Sequence, residues 1–285
     1  MEAIDSGVQS KVLVDMNLTF AEVNGRKLVL DLYRPRNCGA PLPVIVWIFG
    51  GAFFQDNRLV QAHRASWLAK YGYAVASIDY RLSSEALFPA QIHDCKAAVR
   101  WLRAYATLYN LDTENFGVWG ASSGGYLSTM LGVTSGVEAF EGNLGSILES
   151  SSVQAVVDFY GPTDFLKMDE TRLPDGQKHN VGNSPESRLL GAPIVEIPEK
   201  VKEANPLTYV NESAPPFLIL HGVKDLLVPV NQSEILYEAL NNAGGDVKLF
   251  KLEGVGHGGP QFYRESGCTP IVGAMVLAFL NQHLK

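Results

Sequence analysis

Cysteine is scarce in this chain: three in 285 residues, Cys38, Cys95 and Cys268, widely separated and without a Cys-x-x-Cys. A disulfide scaffold or a thiolate metal site needs closely patterned cysteines, so neither is expected. Cys95 falls in a helical pattern, where a small buried thiol is its plain role. Basic residues are outnumbered, 23 Lys and Arg against 30 Asp and Glu, for a net charge of −7, and no Lys/Arg-rich run occurs. A chain of that balance is poorly suited to a phosphate backbone, which excludes nucleic acid as a partner. Long apolar runs are missing too. Pro43 to Phe49 is the longest, far below the roughly 20 residues that a bilayer span requires. Met1 to Ser10 has neither a basic n-region nor an apolar stretch, so no secretory signal is read there and a cytoplasmic, reducing location is expected.

What the chain does hold is apolar mass. Hydrophobic residues make up 46% and charged residues 19%, enough to bury a large core. Lys11 to Phe20 and Lys27 to Tyr33 read as strands around the hairpin turn Asn24-Gly25. Val44 to Phe49, Ala74 to Ile78, Phe116 to Trp119, Val153 to Tyr160 and Phe217 to Leu220 are short and uniformly apolar. Such strands are covered on both faces, as in a mostly parallel sheet. Helical patterns alternate with them, the clearest carrying Ala98, Trp101, Leu102, Tyr105 and Leu108 at spacings of three and four. A strand at Val247 to Leu252 precedes a terminal helix from about Thr269 to His283. The expected fold is α/β: a mostly parallel central sheet with an N-terminal antiparallel hairpin and helices on both faces. Residues 1–285 form one domain in this reading, and the polar, proline-punctuated stretch 162–206 is a small cap or lid insertion.

Gly120-Ala121-Ser122-Ser123-Gly124-Gly125 follows a strand directly and opens a helix of small and apolar residues. In that setting G-x-S-x-G marks Ser122 as a nucleophile on a sharp turn, with glycines where a Cβ would clash. A serine hydroxyl needs a base held by a third group. Among six histidines, His257 sits in the glycine-rich loop Gly254-Val255-Gly256-His257-Gly258-Gly259. His221 ends a buried strand and reads as structural, while His63, His179 and His283 lie in surface-like surroundings. For the acid, Asp225 lies 32 residues before His257 and just beyond a strand; Asp164 is the rival. Pro43 to Phe54 runs from a buried strand into Gly50-Gly51-Ala52, whose backbone N–H groups, with that of Ser123, suit an oxyanion hole. Gly254, Gly256 and Gly259 also satisfy G-x-G-x-x-G, but no second strand or acidic residue completes a dinucleotide unit.

These segments, together with Ile78-Asp79-Tyr80-Arg81-Leu82, Phe88-Pro89-Ala90-Gln91-Ile92-His93-Asp94, Tyr160-Gly161-Pro162-Thr163-Asp164 and His257-Gly258-Gly259, make the chain resemble α/β-hydrolase carboxylesterases. In particular it resembles the hormone-sensitive-lipase-like and BD-FAE-like (feruloyl/acetyl esterase-like) families. The resemblance implies hydrolysis of carboxylic esters without metal or cofactor, through an acyl-Ser122 intermediate, with short-chain or aromatic acyl groups such as acetyl or feruloyl esters of plant polysaccharide. It implies a small-molecule ester as partner and no membrane; a homodimer is left open. Phe49, Phe53, Phe54, Tyr126 and Phe262, with Phe88 and Tyr263, fall near the expected site loops and are candidates for an apolar substrate pocket. An amidase or formamidase and a non-catalytic binding protein are the alternatives on the same scaffold. One departure stands out. The families usually place a histidine that braces the oxyanion loop where this chain has Phe49, so the expectation is that packing takes over the bracing.

Overall fold

The computed structural model describes residues 11–265 and 267–285. The stretch Met1 to Ser10, read above for a secretory signal, lies outside them. Among the described residues, one sheet of eight strands has the order β1-β2-β4-β3-β5-β6-β7-β8. Its strands are β1 (Val12–Val23), β2 (Arg26–Pro35), β3 (Leu42–Ile48), β4 (Ala74–Ile78), β5 (Leu111–Ala121), β6 (Ala155–Phe159), β7 (Phe217–Gly222) and β8 (Val247–Leu252). β2 pairs antiparallel with both β1 and β4, and all pairs from β4 through β8 are parallel. At the hairpin, Asn24 and Gly25 take φ of 50° and 80°, the double positive-φ turn that an Asn-Gly pair accepts with little strain.

Four helices of eleven or more residues flank the sheet: α1 (Ala90–Ala104), α2 (Ser123–Val133), α3 (Asn231–Asn242) and α4 (Pro270–Leu284). Leu102 of α1, Leu127 and Met130 of α2, and Leu236 of α3 join the core on one sheet face. On the other, Val276, Phe279 and Leu280 of α4 pack with Trp47 and Trp119. This is the mostly parallel α/β sheet with an N-terminal hairpin and helices on both faces that the alternating pattern predicts, as the resemblance to α/β-hydrolases implies.

One expectation needs correction. The helix with Trp101 ends at Ala104; Tyr105 turns out of it, and Leu108 is 69% exposed in a separate short turn. β8, at the edge of the sheet, leaves Phe250 exposed. Residues 162–206 fold as short helical pieces, Phe165–Glu170, Pro185–Leu190, Ile194–Glu196 and Pro198–Ala204.

Helix α2 is tied to α1 beyond its C-terminal end by a charge cluster. Lys96, fully buried, donates to Thr134 O (2.5 Å) and to Glu141 Oε1 (2.6 Å). Arg100 reaches Glu141 Oε2 at 3.1 Å, and Ser151 donates to the same oxygen. Burial lowers the Lys96 ammonium and Glu141 raises it back in part. Removing the shared carboxylate leaves two cations without their counter-ion, which costs more than a surface ion pair would. Glu141→Gln is expected to destabilise the fold by about 3 kcal/mol, read as a lower urea midpoint at unchanged m-value.

Candidate active site

β5 delivers its chain straight into the turn at Ser122, where φ is 57° and ψ −125°. A non-glycine residue in that region is strained, and the strain is held by close packing on both sides. A Cβ on Gly120 would meet the Gly124 carbonyl oxygen at 2.1 Å, and one on Gly124 would meet Ile48 O at 2.1 Å. Neither contact can be relieved by a side-chain rotation, so both positions require glycine. Ser122 N–H donates to Phe159 O at 2.8 Å, which ties the turn to β6. The hydroxyl then stands at the start of α2, above the C-terminal ends of β3, β5 and β6.

His257 meets it from the loop after β8. His257 Nε2 lies 2.9 Å from Ser122 Oγ, and Nδ1 lies 2.6 Å from Asp225 Oδ2. Asp225, in the turn after β7, is fixed by N–H donors from Leu227 (2.8 Å) and Val228 (2.9 Å) on its other oxygen. Burial alone would raise its carboxyl, but hydrogen bonds and charge from His221 and His257 hold it well below the usual carboxylate range. The rival acid Asp164 faces Lys167 Nζ at 3.5 Å instead.

His221 is part of this assembly, a role its place at the end of β7 does not announce. Its Nε2 lies 2.9 Å from Val228 O and 3.2 Å from Asp225 Oδ2, and its Nδ1 lies 2.7 Å from Ser233 Oγ. Two acceptors face Nε2, so that nitrogen carries a proton and donates.

The Gly50–Ala52 loop approaches so closely that a Cβ on Gly50 would lie 2.6 Å from Ala121 O. Ala52 and Phe53 both take positive φ, 54° and 67°. Phe49 is buried and stacked on Tyr80 with centroids 4.4 Å apart, and the Tyr80 hydroxyl donates to Phe49 O at 3.1 Å. A second brace is Gln61, from the short helix Arg58–Gln61. Its Oε1 accepts from Gly50 N–H (3.2 Å) while its Nε2 donates to Gly50 O (3.3 Å). Asp56 accepts from the same amide, and Arg64 Nη1 donates to Gln61 Oε1 at 3.0 Å.

Two pockets open beside Ser122. The smaller, about 50 Å³, is lined by Ala52, Phe53, Ser123, His179, Glu186 and Leu227 among others. The larger, about 220 Å³, is lined by Gly51, Gln55, Arg64, Tyr160, Leu227 and His257 among others. Gly51, Ala52 and Ser123 are thus brought to Ser122. Of the aromatic candidates, Phe53 lines the smaller pocket. Phe49, Tyr126 and Phe262 are buried in the core, Tyr126 against Phe53 and Phe262 against Phe159 and Tyr160. Phe54 lies under the Arg188 guanidinium.

His179 is not a surface residue. It is 1% exposed, with Nδ1 3.0 Å from Glu186 Oε2 and Nε2 2.8 Å from Leu227 O. Burial lowers this imidazole, but Glu186 and the Leu227 carbonyl outweigh it and leave it raised. The pair therefore clips the 162–206 segment to the turn that carries Asp225. Among the described residues no group of three His, Cys, Asp or Glu side chains could hold a metal ion, and no helix is long and apolar enough to cross a membrane.

Known proteins resemble this chain in sequence and fold. A structure described as a truncated carbohydrate esterase from gut microbiota is 35% identical, covers 96% of this chain and 97% of its own, and superposes with a TM-score of 0.83. A bifunctional GH43-CE from Bacteroides eggerthii is 34% identical over 94% of this chain, with a TM-score of 0.82, although the match spans 38% of that protein. Esterase LipC of Mycobacterium tuberculosis is 32% identical over 81% of this chain and 56% of its own length. The chain spans about half the length of the curated relatives it matches. The BD-FAE family model matches residues 30–240. That span runs from β2 through α3 and holds the Gly50–Ala52 loop, the turn at Ser122 and Asp225, so the chain belongs to the BD-FAE family.

Proposed function

We propose that this chain is a serine hydrolase of carboxylic esters, acting on acetyl groups carried by sugars. The observation that carries the reading is the continuous chain Ser122–His257–Asp225, at 2.9 and 2.6 Å, on a strained turn. Its parts suit one mechanism. His257 takes the Ser122 proton as the hydroxyl attacks the ester carbonyl, and Asp225 stabilises the imidazolium that forms. Backbone N–H groups of Gly51, Ala52 and Ser123 hold the oxyanion. Collapse expels the alcohol, protonated by His257, and water then releases the acid from acyl-Ser122.

The general acid also orients the substrate. The leaving oxygen must reach His257, which lines the larger pocket and not the smaller, so the alcohol belongs in the larger and the acyl group in the smaller. At about 50 Å³ the smaller pocket is much tighter than the larger, about 220 Å³. An acetyl methyl fits such a space, and a feruloyl ring does not unless the 162–206 segment moves. That segment supplies Gln177, His179, Pro185 and Glu186 to the pocket, which is the work of a cap. The name of the carbohydrate esterase among the structural relatives supports a sugar as the alcohol.

Wild type is expected to hydrolyse p-nitrophenyl acetate fastest, butyrate more slowly and octanoate barely, and Ser122→Ala to lose a factor on the order of 10⁴–10⁶ in kcat. Equal rates in wild type and variant would move the amidase and binding-protein alternatives ahead. Gln61→Leu removes both side-chain bonds to Gly50. Its kcat on the acetyl ester should fall about 10- to 100-fold with KM within about threefold, because the loop binds charge that exists only in the transition state. Asp225 is held well below the usual carboxylate range and stays ionised as the medium is acidified. The carboxylate should then add no step of its own to the fall of log kcat/KM on the acid side; a limiting slope of two would show that it titrates. Asp225→Asn should lower kcat by about 10⁴.

A further inference from the structure

The leaving-group pocket contains a cation that the mechanism does not use. Arg64, from the short helix His63–Ser66, lines it together with Gln55, Gln61, Tyr160 and His257. The ion pairs among the described residues engage Arg26, Arg34, Arg58, Arg81, Arg100 and Arg172; Arg64 is in none of them. Its guanidinium lies over the Tyr263 ring, 4.4 Å from the centroid, and Nη1 donates to the neutral Gln61 amide. Its Nε is buried without a hydrogen-bond partner among the described residues. Asp56, the carboxylate in this network, is already engaged by the Gln61 amide and by Asn57 N–H at 2.8 Å. No Asp or Glu lines the pocket.

A part-buried guanidinium with neutral neighbours has given up hydration without gaining a counter-ion. In a chain of net charge −7, that is a local exception to the prevailing sign. Resting on the esterase reading above, we propose that this pocket selects an alcohol bearing a carboxylate, an acidic sugar of the uronic acid class, with Arg64 as its counter-ion. At about 220 Å³ against about 50 Å³, this pocket is the one with room for the bulkier group. Gln55, exposed at the rim of the pocket, can meet a ring hydroxyl, and a carboxylate on Arg64 forms a charge-assisted bond about twice as strong as a neutral one. The contact exists in the bound ester as well as in the transition state, so its effect falls on KM.

The test compares two methyl glycosides acetylated at the same hydroxyl, one of glucuronic acid and one of glucose. Wild type should favour the glucuronide by about tenfold or more in kcat/KM, mainly through KM. Arg64→Gln should bring that ratio close to one, and Arg64→Lys should keep most of it. The ratio is the readout because disorder spread through Gln61 to the Gly50 loop would slow both substrates alike. A measurement without any variant supports the same point: free glucuronate should inhibit wild-type hydrolysis of p-nitrophenyl acetate at about tenfold lower concentration than glucose. Equal kcat/KM for the two sugars in wild type, or a preference that survives in Arg64→Gln, overturns the assignment while leaving the esterase reading intact. Failure to turn over either sugar or p-nitrophenyl acetate removes the esterase reading and this proposal with it.

Discussion

The site depends on a close approach of backbone to backbone. β3 and β5 are adjacent and parallel, with Ile48 beside Gly120 in register, so the chain leaving β5 has to turn back over the end of β3. Gly124 lies where a Cβ would strike Ile48 O, and Gly50 where a Cβ would strike Ala121 O. This contact sets the strained dihedrals of Ser122, the starting point of α2 and the path of the Gly50–Ala52 loop together. Strain at Ser122 persists because its N–H is held by Phe159 O and the glycines leave no room to relax. A larger residue at Gly50, Gly120 or Gly124 would displace Ser122 and the loop at once.

Around that contact the polar groups are fixed in pairs, each with its capacity used. Asp225 accepts two N–H groups from its own turn on one oxygen and faces two imidazoles with the other. The turn is held from below by His221 through Val228 O and from above by His179 through Leu227 O. Its two supports come from β7 and from the 162–206 segment, elements far apart in sequence. His179 differs from His221 in kind. Both its ring nitrogens face acceptors, Glu186 and a carbonyl, so the doubly protonated form is the one that satisfies them. The segment over the small pocket is thus fastened by a buried ion pair at 3.0 Å, whose loss would leave a carboxylate without its partner.

How much of this was legible in the sequence follows from periodicity and local spacing. The parallel sheet could be read because β3, β4 and β6 are uninterrupted apolar runs. Ser122 and His257 could be read because glycines crowd them for steric reasons that show in the letters. Gln61, Arg64, His179 and His221 carry no such signal. The first two lie on four-residue helices, too short for an amphipathic pattern to emerge. His179 lies in a stretch of prolines and polar residues whose burial is created by tertiary packing alone. His221 looks like the end of a buried strand, which it is; its contact with Asp225 arises because the turn folds back by four residues. Aromatic residues near the loops were ambiguous for a related reason. Phe49 and Phe53 are four positions apart, and backbone dihedrals alone send one into the core against Tyr80 and the other to the pocket wall.

The substitution at residue 49 shows how one task can be moved along the chain. Where related families place an imidazole at the end of β3, this chain stacks Phe49 on Tyr80 and braces the loop with the Gln61 amide. An amide presents a donor and an acceptor on one rigid plane, and that is what Gly50 requires, since its N–H and its carbonyl are both gripped by Gln61. Imidazole can offer the same pair of functions in one tautomer only and loses its acceptor on protonation. A glutamine brace does not titrate. The grip on the Gly50 N–H and carbonyl oxygen is therefore independent of the protonation state of the side chain that makes it.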